Sequence, residues 1–277
     1  MGRSSSGCHP AVPGWPRSVG KPGYVLVLAH RGSPSARRPE NTVAAVRAAL
    51  DGVADGVEID VRRTADGVLV CSHDGDLMRL AGRPLVIANS RLGEIRRVAL
   101  AGGHRIATVD EVLATARGRL VIEAKPVTGT AAALHTAMAL CLALEVAPPG
   151  PAVTVSSFDA ALLGTIRFAL RHSGRSYVRT ALLGRPGTPA EVLLRRTLDG
   201  QHGELHPHVS DLLRSPQLVD VAHSLGATVT CWTVNRRRDV RRLAQLGVDA
   251  VISDRPAVAR AAATAAVQGA RAQGSNL

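Results

Sequence analysis

From Tyr24 onward, short segments rich in Val, Ile and Leu alternate with longer Ala- and Leu-rich stretches, and this alternation leaves the chain few folds to adopt. A strand, a helix and a further strand give parallel neighbours, because a parallel connection needs a crossover of about a dozen residues and a helix provides one. Strand candidates fall at Tyr24 to Ala29, Gly56 to Val61, Val68 to Ser72, Leu120 to Ala124, Ala152 to Ser156, Tyr177 to Leu182, Glu204 to His206, Thr228 to Trp232 and Ala250 to Ile252. Helical stretches fall at Thr42 to Leu50, Val109 to Ala116, Ala131 to Leu144, Ala160 to Leu170, Ala190 to Leu198, Pro216 to Leu225, Asp239 to Leu246 and Ala257 to Val267.

That set exceeds a (β/α)8 barrel by one strand, and chain length resolves the surplus. Arg62 to Gly67 is too short for a crossover, whereas Asp66-Gly67 is a hairpin signal. Val68 to Ser72 is therefore expected to run antiparallel to the second barrel strand and to carry His73 back over the barrel mouth. Asp74 to Ile106 has no place in the strand and helix sequence and reads as an insertion on the strand 2 loop. The expected fold class is α/β: a (β/α)8 TIM barrel with a small insertion after His73-Asp74, closed by right-handed crossovers.

A chain of 277 residues with 45% apolar content suits one such domain, spanning about 23–267 with the insertion at about 74–106. Residues 1–22 read as a flexible leader: Arg3, Pro13, Pro16 and Pro22 are present, but not the apolar centre of a secretory signal. Residues 268–277 read as a frayed tail. Apolar runs such as Tyr24 to Ala29 and Arg119 to Ala124 stop after about six residues, far short of the roughly 20 of a membrane-spanning helix. Cys8, Cys71, Cys141 and Cys231 have no CxxC spacing, which argues against a disulfide framework or zinc site and fits a reduced, cytoplasmic compartment. The net charge of +12 raises nucleic acid as a partner. Against it, aromatic content is 2% and the arginines are scattered, with a short cluster at Arg236 to Arg238.

Catalytic groups of such barrels gather at the C-terminal ends of the strands. The first strand ends in Ala29-His30-Arg31-Gly32, placing His30 at the mouth beside a guanidinium suited to a phosphate oxyanion. Glu58-Ile59-Asp60 closes the second, where a period of two sends both carboxylates to one face. Inward carboxylates are costly unless compensated, either by a hard divalent cation or by Arg62 and Arg63 nearby. The third barrel strand ends in Glu123-Ala124-Lys125; Glu123 completes a trio of acids, and Lys125 on the same face offers a point charge to a substrate oxygen. His73 supplies a second imidazole, and two imidazoles can activate a nucleophile and protonate a departing alkoxide. Ser157-Phe158, His206 and Trp232 to Asn235 also end strands and are candidates to line the pocket, with Trp232 as a substrate contact. Ser253-Asp254-Arg255-Pro256 reads as a helix start with Asp254 as the cap.

Taken in order, His30-Arg31-Gly32, Pro39-Glu40-Asn41-Thr42, Glu58-Ile59-Asp60-Val61, Thr64 to Gly67 leading into His73-Asp74, Glu123-Ala124-Lys125, Ser157-Phe158, Trp232 to Asn235 and Gly247-Val248-Asp249 through Asp254 resemble the glycerophosphodiester phosphodiesterases. The likeness extends from about Tyr24 to Ala257. It implies metal-dependent hydrolysis of small glycerophosphodiesters to glycerol 3-phosphate and an alcohol. His30 and His73 look like its general acid/base pair, Glu58, Asp60 and Glu123 like ligands of one divalent cation, Mg²⁺ or Ca²⁺, and Arg31 and Lys125 like phosphate contacts. Either water or a substrate hydroxyl can be the first nucleophile. Ala107 stands where the family often has proline, and Ala124 is smaller than usual. Two alternatives are a related barrel phosphodiesterase acting on lysophospholipids and a basic binding protein with a vestigial site.

Overall fold

The computed structural model describes residues 24–147 and 150–274, with side chains up to 268. In chain order the elements are β1 (Leu26–His30), α1 (Val43–Leu50), β2 (Gly56–Arg63), β3 (Leu69–Cys71), β4 (Asp76–Leu77), α2 (Met78–Ala81), β5 (Arg83–Val86), α3 (Leu92–Ile95), α4 (Val109–Leu113) and β6 (Arg119–Ala124). They continue as α5 (Thr130–Val146), β7 (Ala152–Ser157), α6 (Ala160–His172), β8 (Arg179–Leu183), α7 (Ala190–Asp199), β9 (Glu204–His206), α8 (Val209–Arg214), α9 (Leu218–Ser224), β10 (Thr228–Cys231), α10 (Arg237–Gln245), β11 (Ala250–Ser253) and α11 (Pro256–Gly274).

β1, β2 and β6 to β11 are all parallel, and β1 pairs with both β2 and β11, so the sheet closes into a (β/α)8 barrel. β3 is antiparallel to β2, with Val61 opposite Cys71 and Arg63 opposite Leu69, as the Asp66-Gly67 turn requires. Gly67 takes φ +89, which an L side chain resists. At the other end of β2, Gly56 is needed for contact: a Cβ there would lie 1.9 Å from the Arg119 carbonyl oxygen of β6.

Alternation along the strands sorts their residues. Val57, Ile59, Val61, Leu120 and Ile122 point outward onto α1, α4, α5 and α6, and Val27, Leu205, Val229 and Val251 onto the helices of the other half. Leu28, Val121, Ala250 and Ile252 meet inside the barrel. Below the mouth the interior is polar: Arg119 of β6 reaches across to Glu204 of β9, which also accepts from Thr230 and, at 3.2 Å, from Thr154. Against the upward push of burial, Arg119 first, then His206 at 3.0 Å and Thr230, hold the buried Glu204 carboxyl far below the usual carboxylate range.

The excursion between His73 and Ile106 has a core of its own, Leu77, Ile87, Ile95, Leu100 and Ile106 packed on Val70. Asp66 pins it to the hairpin by accepting from the Leu92 backbone N–H at 3.0 Å. Sequence boundaries move in places. β1 begins at Leu26 and runs through His30, and α8 follows β9 directly, so two short helices occupy the β9–β10 connection where one was expected. The last helix continues to Gly274, past the expected end at Val267, because its Ala-rich composition carries no stop signal there. The expected leader lies outside the described residues, as do 275–277.

Candidate active site

The β1–α1 loop is built to turn sharply. Arg31 adopts φ 56 and Gly32 φ +82, and a Cβ on Gly32 would meet the Ala45 carbonyl carbon at 2.7 Å, so glycine lets α1 approach the end of β1. Thr42 caps α1 by accepting from the Ala45 N–H at 3.2 Å, a contact worth about 1 kcal/mol. Just before it, Asn41 grips Asp60 twice: its Nδ2 donates to Oδ2 at 2.8 Å, and its Oδ1 accepts the Asp60 backbone N–H at 3.0 Å.

His30, at the end of β1, holds Asp254 by Nδ1 at 2.5 Å and lies 3.8 Å by Nε2 from Glu58 Oε2. With a carboxylate as its partner, Nδ1 is the donor, and the Nε2 lone pair is left for chemistry. Asp254 is itself held by Asn235, whose Nδ2 donates to it at 2.6 Å. Burial pulls the His30 pKa down, but the bond to Asp254 and the charge on Glu58 outweigh it, leaving the imidazole more basic than usual. The expected cap role of Asp254 is not what its side chain does; Ser253 Oγ instead accepts the Arg255 N–H at 3.0 Å.

Glu58, Asp60 and Glu123 are all buried, and one oxygen from each lies within 4.8 Å of the others. Lys125 Nζ sits 2.6 Å from Asp60 Oδ1 and 2.5 Å from Glu123 Oε1, and Arg31 Nε 3.2 Å from Asp60 Oδ2. Arg31 and Lys125 therefore compensate these acids. Arg62 is committed elsewhere, donating to the His73 carbonyl at 2.8 and 3.1 Å, and Arg63 donates to the Thr64 carbonyl at 3.4 Å. Burial and the neighbouring Asp60 charge push the Glu58 carboxyl up to about 8. Burial likewise raises Glu123, whereas at Asp60 the charges of Lys125 and Arg31 overcome burial and lower it.

His73 reaches the mouth on the far side of the β3 excursion, its Nδ1 2.8 Å from Asp74 Oδ1. Arg79 of α2 ties Asp74 at 2.6 Å to Glu40, which also accepts from Arg31 at 3.0 Å. One cavity of about 560 Å³ is lined by both histidines, Arg31, Glu58, Glu123 and Lys125, and farther on by Phe158, His206 and Trp232. Trp232 stands edge-on to Phe158 with ring centroids 5.3 Å apart, and its Nε1 donates to the His206 carbonyl at 2.9 Å. The two histidines, Arg31, Glu58, Glu123, Lys125, Phe158, His206, Trp232 and Thr233 thus meet at one mouth, with Asp60 beneath the cavity in contact with Arg31 and Lys125. Ser157 and Val234 are buried away from it, Ser157 donating to the Ala124 carbonyl at 2.8 Å. Asn235, expected to line the pocket, instead holds Asp254, and Asp254, Asn41 and Arg79 join the site through partners that long-range packing brings to them.

The fit for a cation rests on the donors. Glu58 Oε1 is buried without a hydrogen-bond partner among the described residues, and the trio offers only hard carboxylate oxygens, which suit Mg²⁺ or Ca²⁺.

A parallel barrel with two imidazoles and three carboxylates at its mouth has the makings of a barrel phosphodiesterase. Residues 30–258 match the Glycerophosphoryl diester phosphodiesterase family. The probable glycerophosphodiester phosphodiesterase 1 of Mycobacterium tuberculosis is 31% identical over 248 residues, covering 82% of this chain and 88% of its own. A glycerophosphodiester phosphodiesterase of Caldanaerobacter subterraneus is 30% identical over 241 residues, 83% of this chain and 94% of its own. A phosphodiesterase from Oleispira antarctica, solved in complex with the product sn-glycerol 3-phosphate, superposes with a TM-score of 0.75 at 26% identity, covering 86% of this chain and 96% of that one. The chain belongs to the glycerophosphoryl diester phosphodiesterase family and is an enzyme of that class.

Proposed function

We propose that this enzyme hydrolyses small glycerophosphodiesters to glycerol 3-phosphate and an alcohol by paired imidazole acid/base chemistry beside one divalent cation, Mg²⁺ or Ca²⁺, held by Glu58, Asp60 and Glu123. The observation that carries this reading is the shared cavity: His30, His73 and two of the acids line one space of about 560 Å³, with Asp60 at its edge through Lys125. When bound, the cation supplies charge neutralisation at the phosphoryl oxygens and acidifies a hydroxyl.

The side chains do the rest. Arg31 and Lys125 bring positive charge to the phosphate. One imidazole takes the proton of the attacking water, or of an attacking substrate hydroxyl, as its oxygen bonds to phosphorus. The other gives a proton to the alkoxide as the opposite P–O bond breaks. Where the substrate hydroxyl attacks, water opens the resulting cyclic phosphate in a second step, with the two imidazoles exchanging roles. Phe158 and Trp232 wall the space beyond the acids. The Oleispira antarctica complex, whose ligand is sn-glycerol 3-phosphate, supports the product assigned here. A reducing, cytoplasmic setting completes the reading and rests on the scattered cysteines; Cys71, Cys141 and Cys231 are free. Among the described residues no helix is long and apolar enough to cross a membrane.

The test is release of glycerol 3-phosphate from glycerophosphocholine and glycerophosphoethanolamine, with release of choline from lysophosphatidylcholine measured alongside. Turnover of the two water-soluble diesters supports the proposal; turnover confined to the lysophospholipid overturns the substrate class. His30→Ala and His73→Ala should each lose roughly 100-fold or more in kcat.

A further inference from the structure

The chain carries +12 net charge, and α1, α6, α7, α10 and α11 all contain arginine. α5 breaks the pattern. From Thr130 to Leu144 it has no Asp, Glu, Lys or Arg, and its outer face exposes Leu134 at 46%, Met138 at 57%, Leu142 at 61% and Val146 at 66%. A helix apolar on all sides is normally covered on all sides, and only the inner face of α5 is covered, by residues such as Ala137, Leu140 and Leu144. The four exposed side chains leave on the order of 400 Å² of apolar surface in one stripe, the size of the largest patch on a typical monomer, and such patches are often functional.

The order of residues along the stripe names the partner. Leu134 and Val146 stand equally far from position 140, as do Met138 and Leu142, and as do the exposed His135 and Glu145. A two-fold axis at that position lays α5 antiparallel on a second α5. Leu134 then meets Val146 of the other copy, Met138 meets Leu142, and His135 meets Glu145. Such self-complementarity is what an isologous interface requires. The six positions span about 18 Å of helix, enough for side chains to interdigitate at a shallow crossing angle. Charge favours the same occupant. An acidic partner would gain from free arginines, and the stripe offers none: α5 has none of its own, and the largely covered Arg175 beside it is paired with Glu145 at 3.2 Å, so two strongly basic copies can approach here.

We propose that the outer face of α5 is a homodimer interface in which two copies pair antiparallel about residue 140. α5 lies on the flank of the barrel, so the pairing leaves both mouths open. The inference does not depend on the substrate assignment.

Sedimentation velocity and light scattering on the full chain at micromolar concentration should give twice the chain mass. Met138→Lys alone and Leu142→Glu alone should each sediment as monomers with unchanged far-UV circular dichroism and unchanged turnover. An equimolar mixture of the two variants should recover the dimer, because one Lys–Glu contact and one Leu–Met contact then face each other across the axis. A monomeric wild type overturns the proposal, and so does a dimer that survives both single substitutions. Co-sedimentation of a monomeric wild type with phosphatidylcholine–phosphatidylglycerol vesicles, lost in Met138→Lys, would assign the face to a lipid surface instead.

Discussion

His30 and Asp254 are separated by 224 positions in sequence and meet at 2.5 Å where β1 closes on β11. The carboxylate orients the imidazole and raises its basicity, and Asn235 fixes the carboxylate in turn. Closure of the barrel and orientation of this imidazole are one event.

Asp254→Asn should therefore preserve the fold and lower kcat/KM about 100-fold or more, within the range general acid/base groups contribute. The pH–rate profile is the discriminating measurement. Removing a group that raises the His30 pKa should move the limb belonging to His30 toward lower pH. A uniform loss of rate with an unmoved profile would show that Asp254 is merely structural.

Glu58 makes stability depend on pH in the metal-free protein. Its pKa is near 8 when folded against an ordinary 4.5, so between these values the folded chain holds a proton that the unfolded chain has released. The contribution is full below 4.5 and is lost as pH rises toward 8, at a slope approaching about 1.4 kcal/mol per pH unit. Thermal unfolding after chelation should show this decline, and Glu58→Gln should make it shallower, leaving the part that the raised Glu123 and His30 contribute. Mg²⁺ or Ca²⁺, binding the ionised form, should raise the melting temperature more at pH about 8 than at about 6. A decline as steep in Glu58→Gln as in the wild type would contradict the assignment.

Arg79 links the insertion to the barrel through Asp74 and Glu40, and its side chain is 49% exposed. Such exposed pairs contribute under about 1 kcal/mol each, so Arg79→Ala should barely change stability. Its effect should fall on His73, lowering kcat about 10-fold through misplacement of the ring, with KM changing less. Unchanged kcat would remove Arg79 from the positioning chain.

Glu204 and Arg119 form a buried pair inside the barrel. Glu204→Ala leaves the guanidinium without its carboxylate and should cost about 3–5 kcal/mol in denaturant unfolding. A loss below about 1 kcal/mol would mean that the interior relaxes around Arg119.

The barrel and the acids were legible because both follow local rules. A period of two put Glu58 and Asp60 on one face, and the short gap from Arg62 to Gly67 allowed only a hairpin. Asp254 was misread for the same reason: Ser-Asp-x-Pro is a locally valid helix start, and nothing near it in sequence reveals that β1 arrives opposite. Asn41, Asn235 and Arg79 act on residues brought to them by long-range packing, which periodicity does not encode. Lys125 was placed on the right face, but its ion pairs with Asp60 and Glu123 depend on the register between β2 and β6. The six-residue α8 was missed because it is too short to set up a period.

Glycerol 3-phosphate release from glycerophosphocholine, followed through exhaustive chelation and then stepwise return of Mg²⁺ or Ca²⁺, tests the shared-ion site most directly. Activity should vanish on chelation, return on addition of the ion to the wild type, and fail to return in Glu58→Gln or Asp60→Asn. Full turnover by the chelated wild type would contradict the account.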